Sequence, residues 1–172
     1  MPSVLFVCSA NRFRSPVAAG IFQKALAEEE TSRTLSWNIG QAATWVVSSA
    51  GLQAAPLQPV LPDVLEAACQ LGIDLSDHWS QRVDELDLVN FDLIVVMQKS
   101  HRLALLDQYP DLQERIYLFS QVVDNESYDI PDSYNSPQGV MGVCVVMNDL
   151  IRRRLSYLCV LAIAMHNKRT LA

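Results

Sequence analysis

The sequence predicts an α/β fold, a three-layer arrangement in which a four-stranded parallel sheet is covered by helices on both faces. Two observations lead there. Four short runs rich in strand-forming residues alternate with stretches of helical periodicity, and strand–helix alternation builds a parallel sheet through right-handed crossovers. Two of the runs, Val4-Leu5-Phe6-Val7 and Leu93-Ile94-Val95-Val96-Met97, are also continuously apolar, as strands buried on both faces are. A third observation sets the organisation. The 172 residues contain no internal repeat, no low-complexity tract and no dividing linker, so a single domain over 1–172 is expected.

Val4-Leu5-Phe6-Val7 forms the first strand, and a polar loop over residues 9–14 follows. Ser15-Pro16 then opens a helix that runs to Glu30, because Ser caps well and Pro is tolerated at the first helical position. Val17, Ile21, Ala25 and Leu26 recur on one face of it. Residues 31–43 are polar and mixed, and read as a connector. The whole 31–44 stretch is longer than most connectors and carries Trp37, with Trp45 just beyond it. It reads as a surface excursion anchored by one buried Trp. Trp45-Val46-Val47-Ser48-Ser49 is the second strand, stopped by Ala50-Gly51, and Pro56, Pro59 and Pro62 mark a loop. Residues 63–71 form a helix with Gly72 as its cap. Leu93-Ile94-Val95-Val96-Met97 is the third strand, followed by a helix over 100–109 that Pro110 stops. Ile116-Tyr117-Leu118-Phe119 is the fourth strand. A loop rich in Asp, Ser, Asn and Pro covers 124–139, and the last helix runs from Val140 to about His166. His101 and His166 read as helix-surface residues.

Composition excludes several classes. Half of the residues are hydrophobic and 19% are charged, which supports a full core and argues against disorder. Thirteen basic residues against nineteen acidic ones leave a net charge of −6. That balance excludes a generally basic nucleic-acid binder and disfavours adhesion to anionic membranes. Cys8, Cys69, Cys144 and Cys159 are scattered without a CxxC pair, so neither a zinc knuckle nor a disulfide framework is expected. Reduced thiols in a cytoplasmic protein fit better. Met1-Pro2-Ser3 lacks the positive start of a signal peptide. The late apolar run over residues 157–165 is far short of the ~20 residues a membrane span needs. It follows Arg152-Arg153-Arg154, as a basic membrane-surface helix would, but a buried terminal helix is the favoured reading.

In sheets of this kind a ligand sits beyond the carboxyl ends of the strands. Residues 8–15, 48–59 and 98–101 lie there, and the loop around Asp132 can fold over them. The informative segment is Cys8-Ser9-Ala10-Asn11-Arg12-Phe13-Arg14-Ser15. A cysteine ends a buried strand, five residues intervene, an arginine follows, and a helix starts. A loop of this length can curl its backbone N–H groups inward as an anion nest at a helix N-terminus. Arg14 can clamp two phosphate oxygens with its planar fork. The same positive field suits a thiolate nucleophile at Cys8, to which Ser15 can donate a hydrogen bond. The bland alternative is a small buried cysteine beside a solvated arginine.

The segment resembles the active-site loop of the low-molecular-weight protein tyrosine phosphatases, Cys-x-x-Asn-x-x-Arg-Ser. Val47-Ser48-Ser49-Ala50-Gly51 resembles that family's second strand and its Ser-Ala-Gly turn. Gly72-Ile73-Asp74-Leu75-Ser76-Asp77-His78-Trp79-Ser80 resembles its Gly-Ile-Asp-Leu-Ser-x-His-x-Ser stretch. Phe91-Asp92-Leu93-Ile94-Val95-Val96-Met97, with Ser100-His101, resembles its third strand and next helix. Asp129-Ile130-Pro131-Asp132-Ser133-Tyr134 resembles its Asp-Ile-Pro-Asp-Pro-Tyr loop. The match covers roughly residues 4–135.

The resemblance implies a phosphatase-I-like, flavodoxin-like domain and a phosphomonoester hydrolase, in the first place a protein-tyrosine phosphatase. By resemblance, Cys8 attacks phosphorus and forms a phosphocysteine, and Arg14 with the loop amides holds the oxygens. Asp132 protonates the leaving group and then activates water. Ser9, Ala10, Asn11, Arg12, Phe13 and Ser15 complete the phosphate loop. Asn11, Ser49 and His78 match positions that brace it. Asp129 competes with Asp132 for the acid, but the Asp-x-Tyr order favours Asp132. Tyr134 fits a wall for the substrate ring. No metal or other cofactor is implied. The expected partner is a phosphotyrosine protein or small phosphomonoester, with no nucleic acid and no membrane span, and the chain is expected as a monomer or weak dimer.

Departures from the family pattern concern recognition and protection. Phe13 replaces the frequent second cysteine, so the usual disulfide beside the nucleophile is not available, and the other three cysteines read as buried. Arg12 stands where an apolar residue or Thr is usual. Relatives that act on phosphoarginine use Thr there, which makes that specificity less expected. The loop over 52–59 lacks an aromatic, Ser133 and Asn135 replace Pro and Tyr, and Gln98 replaces an acid. Two alternatives remain. A thiol-dependent arsenate reductase of the same fold needs two further cysteines after the third strand, and residues 98–107 contain none. A non-catalytic phosphate- or phosphoprotein-binding module is opposed by Cys8, Arg14 and Asp132 occurring together.

Overall fold

The first apolar run becomes strand β1 (Ser3–Cys8), buried along its whole length. The computed structural model describes residues 1–32, 45–132 and 136–171. The connector with Trp37, from residue 33 to 44, and the expected ring wall at Tyr134 lie outside them. Helix α1 (Arg14–Ser32) leads from β1 toward β2 (Val46–Gly51). Next come α2 (Pro62–Gln70), two short 3-10 turns at Val83–Glu85 and Leu88–Asn90, and β3 (Leu93–Val96). Helix α3 (Lys99–Gln108), a 3-10 turn (Pro110–Arg115), β4 (Ile116–Leu118), α4 (Phe119–Val123) and α5 (Gly139–Leu171) complete the order.

The strands form one parallel sheet in the order β2-β1-β3-β4. Alternate side chains of each strand face opposite layers. Val4, Phe6, Leu93 and Val95 pack against α1, α2, α4 and α5, while Leu5, Val7, Ile94 and Val96 pack against α3 and the 3-10 turns. This double burial is why β1 and β3 read as unbroken apolar runs, whereas the edge strand β2 is partly exposed over its first three residues. Phe22 of α1 anchors the larger layer, edge-to-face with Phe6 at 5.9 Å and with Trp45 at 5.7 Å between ring centroids. Trp45 is only half-buried, just before β2.

Helix α5 presents Val143, Cys144, Met147, Leu150, Ile151, Leu155, Leu158, Cys159 and Ala162 to the core. That spacing is one helical face, as the buried-helix reading expects. No described helix is long and apolar enough to cross a membrane.

Four local expectations are corrected. Phe119 starts α4 rather than ending the fourth strand, because the Gln121 side chain accepts the Leu118 N–H at 3.1 Å and turns the chain into a helix. The last helix continues to Leu171. His166 is not a free surface residue: its Nδ1 lies 3.1 Å from the fully buried carboxylate of Asp92, which Arg169 Nε also meets at 2.7 Å. This tie, at the amino ends of the strands, holds the extra turn. Cys69 is exposed on α2, whereas Cys144 and Cys159 are buried as expected.

Candidate active site

Strand β1 ends at Cys8, level with Gly51 at the end of β2. The loop that follows is tied on its outer side. The N–H groups of Leu52 and Gln53 donate to the carbonyls of Cys8 and Ser9 at 3.0 and 2.9 Å. With those two carbonyls held outward, the loop can present N–H groups inward. Gly51 makes this approach possible, because a Cβ there would sit 2.6 Å from Ser9 O and 2.9 Å from Asn11 N. Asn11 adopts φ 55°, in the left-handed region that Asn tolerates better than most residues. Its own N–H donates to Cys8 Sγ at 3.3 Å.

Buried polar groups hold this shape. Asn11 Nδ2 donates to Ser49 Oγ at 2.8 Å and to Ser15 Oγ at 3.0 Å, and Asn11 Oδ1 accepts the Gln81 N–H at 3.0 Å. His78 Nε2 donates to the Asn11 carbonyl at 2.9 Å. Burial lowers the His78 pKa, and that hydrogen bond opposes the shift. Ser15 Oγ sits 3.0 Å from Cys8 Sγ and 3.2 Å from the Ala50 carbonyl. Its single proton can go to either, and a thiolate draws it to sulfur.

Arg14 opens α1 and is only 2% exposed. A buried guanidinium needs acceptors. Nη1 donates to the Ile130 carbonyl at 3.0 Å, and Nη2 to Asp132 Oδ2 at 2.9 Å and Ser9 Oγ at 3.4 Å. The loop carrying Asp132 is pinned to the end of β3 by the Ile130 N–H, which donates to the Met97 carbonyl at 2.9 Å. Its two acids are separated by role. Asp129 Oδ1 accepts the Lys99 N–H at the start of α3 at 2.8 Å, while Asp132 faces Arg14.

Cys8, Ala10, Arg12, Phe13, Arg14, Leu61 and Asp132 line one cavity of about 180 Å³. Phe13 and Leu61 supply an apolar wall, and Phe13 is itself buried. Arg12 is half-exposed and anchored at the rim, where its Nε donates to the Pro59 carbonyl at 2.7 Å. Ser9 turns its hydroxyl toward Arg14 and His101. The expected site residues thus converge, apart from Tyr134, which lies outside the described residues. Among the described residues no cluster of three His, Cys, Asp or Glu could hold a metal ion.

Two residues escaped the sequence reading. His101 is buried, not on the helix surface, and its Nε2 lies 2.9 Å from Ser9 Oγ. Burial, then the charge of Arg14, push its pKa down to about 4, so it is neutral near pH 7. Its place one turn past the third strand was the available signal. Gln81 gives Asn11 its backbone N–H, and its Nε2 donates to the Ser49 carbonyl at 2.9 Å. Only its proximity to His78 in sequence pointed to it.

Comparisons with known proteins point to one family. The family model described as Low molecular weight phosphotyrosine protein phosphatase matches residues 3–159. A protein-arginine-phosphatase of Bacillus subtilis (strain 168) is 28% identical over 131 residues, covering 76% of this chain and 79% of the relative. The low molecular weight protein-tyrosine-phosphatase Wzb of Escherichia coli (strain K12) is 29% identical over 132 residues, covering 77% and 78%. Among solved structures, a YwlE arginine phosphatase mutant with a phosphorylated active-site serine superposes with a TM-score of 0.70. It shares 25% identity, over 91% of this chain and 93% of that one.

Proposed function

The chain belongs to the low molecular weight phosphotyrosine protein phosphatase family and is a phosphatase, and on that premise we propose that it hydrolyses phosphotyrosine esters through a phosphocysteine on Cys8. The observation that carries the reading is the convergence of Cys8, Arg14 and Asp132 on one cavity. The Cys8 thiolate attacks phosphorus in line with the ester oxygen. The P–O bond breaks, its electron pair stays on the leaving oxygen, and the protonated form of Asp132 supplies that oxygen's proton. Arg14 and the inward N–H groups of the loop hold the three remaining oxygens, where charge is spread in the transition state. Water then attacks the phosphocysteine, the Asp132 carboxylate takes its proton, and Cys8 leaves as thiolate beside the Ser15 hydroxyl.

In the structure Asp132 occupies Arg14 Nη2, the position a phosphate oxygen would take. Phosphate binding therefore exchanges one anion for another on the guanidinium and frees the acid. The apolar wall of Phe13 and Leu61 suits an aromatic leaving group. The Arg12 cation at the rim repels the positive guanidino group of phosphoarginine, which supports tyrosine as the substrate residue. We read residues 1–172 as one phosphatase domain, cytoplasmic and monomeric or weakly dimeric, acting on phosphotyrosine proteins or small phosphomonoesters.

The test is hydrolysis of p-nitrophenyl phosphate without added metal by the wild type, Cys8→Ser and Asp132→Ala. Phosphotyrosine and phosphoarginine peptides are compared in parallel. The wild type should turn over, Cys8→Ser should not, and Asp132→Ala should lose about 10²–10⁴-fold in kcat. No wild-type turnover would favour a binding module. Turnover surviving Cys8→Ser would defeat the mechanism, and preference for phosphoarginine would reassign the substrate.

A further inference from the structure

The phosphoryl-transfer steps leave His101 and the Ser9 hydroxyl unused, yet both sit against the clamp. His101 lies in the first turn of α3, past the carboxyl end of β3, and is 5% exposed. Its Nε2 is 2.9 Å from Ser9 Oγ, and its Nδ1 is buried with no hydrogen-bond partner among the described residues. Orphaned buried N–H groups are rarer than orphaned acceptors, which places the ring proton on Nε2. That N–H then donates to Ser9 Oγ. The same oxygen lies 3.4 Å from the Arg14 Nη2 donor.

The ring is neutral in this setting. Burial and the adjacent Arg14 disfavour a second cation, against the opposite pull of Asp129 and Asp132. A neutral donor can therefore sit beside the guanidinium without repelling it. When a phosphate takes the place of Asp132 on Nη2, Ile130 O and Ser9 Oγ stay as the clamp's protein acceptors.

We propose that Ser9 and His101 are a positioning pair for the phosphate clamp: His101 Nε2–H fixes Ser9 Oγ as an acceptor for Arg14 Nη2 and so keeps the guanidinium plane turned toward the Cys8 loop. The pair rests on the phosphatase reading of this site. It acts through Arg14 and does not touch the reacting atoms.

The test is calorimetric titration of inorganic phosphate into the wild type, Ser9→Ala, His101→Leu, His101→Gln and the Ser9→Ala/His101→Leu double variant, with kcat and KM for p-nitrophenyl phosphate alongside. Ser9→Ala and His101→Leu should each weaken phosphate about tenfold and raise KM more than they lower kcat, since a hydrogen bond to a charged group is at stake. His101→Gln, whose amide N–H can reach Ser9 Oγ, should regain most of the loss. The double variant should be no weaker than either single, because the two residues act as one unit. Unchanged phosphate affinity in folded Ser9→Ala or His101→Leu overturns the pair, and so do losses that add in the double variant. If His101→Leu does not fold, the phosphate affinities of Ser9→Ala and His101→Gln decide. A wild type that binds phosphate without ester turnover overturns the phosphatase reading instead, and the affinities still judge the pair.

Discussion

At φ 55° Asn11 holds a left-handed backbone that costs a non-glycine residue about 1–2 kcal/mol. Its side chain offsets that cost by bridging Ser15, Ser49 and the Gln81 N–H. Asn11→Ala keeps the strained backbone and removes the bridge. It should lower unfolding free energy by about 2 kcal/mol in urea titration and turnover more than tenfold, while Asn11→Gly should recover part of the stability but not the turnover. The residue beside the clamp sets another property. Phe13 offers no thiol to an oxidised Cys8, and burial pushes the Cys144 and Cys159 thiols up to about 11 and about 12. Peroxide should therefore inactivate the enzyme through Cys8 oxides rather than an internal disulfide. Peptide mapping that finds Cys8 bridged to Cys69, Cys144 or Cys159 would contradict this.

Among the elements, α5 is read well from its sequence in the middle and poorly at its end. Its buried stripe is a local pattern, visible as residues spaced three and four apart. Its last turn depends on Asp92, which no nearby residue announces. The Asp92 carboxylate takes the Ser3 N–H and hydroxyl at 2.8 and 2.9 Å and Arg169 Nε at 2.7 Å, so it is a buried charge that needs all of them. Arg169→Ala should cost about 2–4 kcal/mol of stability, measured by urea unfolding, with turnover of the folded protein unchanged because the tie lies at the opposite end of the strands from Cys8. Asp92→Asn should cost less, since no charge is left buried. The end of β4 has the same lesson: Phe119 is apolar enough for either state, and the Gln121 cap decides for helix.

For the whole molecule, the charge of −6 is a sum that hides its distribution. The proposed anion site is made of Arg14, Arg12 at the rim and backbone N–H groups that carry no formal charge. The acidic remainder leaves recognition to the cavity and repels polyanions. Acid should destabilise the fold in two steps. The folded pKa of His101, about 4, lies below the ordinary 6.5. The unfolded chain therefore takes that proton first, and stability falls as pH drops from about 6.5 to about 4. Asp92 acts at lower pH. Burial works to raise its pKa but is outweighed by Arg169 and Ser3, so the folded value lies below the ordinary 3.8 and its contribution is lost only as pH falls through that value. Urea unfolding at stepped pH should show both, and His101→Gln should shrink the upper window, to which the lowered pKa of His78 also contributes, and leave the lower one unchanged.

The sequence by itself determined the sheet, its doubly buried strands β1 and β3 and the loop from Cys8 to Ser15, because each is written in contiguous residues whose periodicity or spacing is local. It also named Asp132, Ser49 and His78, through segments whose order resembles a known family, and the structure brings them to that loop. Only the tertiary structure decided that His101 is a buried neighbour of Ser9 and that Gln81 completes the Asn11 brace. It also decided that His166 and Arg169 close on Asp92. Those pairs are separated by 92, 70, 74 and 77 positions. A polar side chain's partner across such a gap is set by where the crossovers bring the strand ends. Nothing in its own neighbourhood of the sequence distinguishes a buried, bonded histidine from a solvated one.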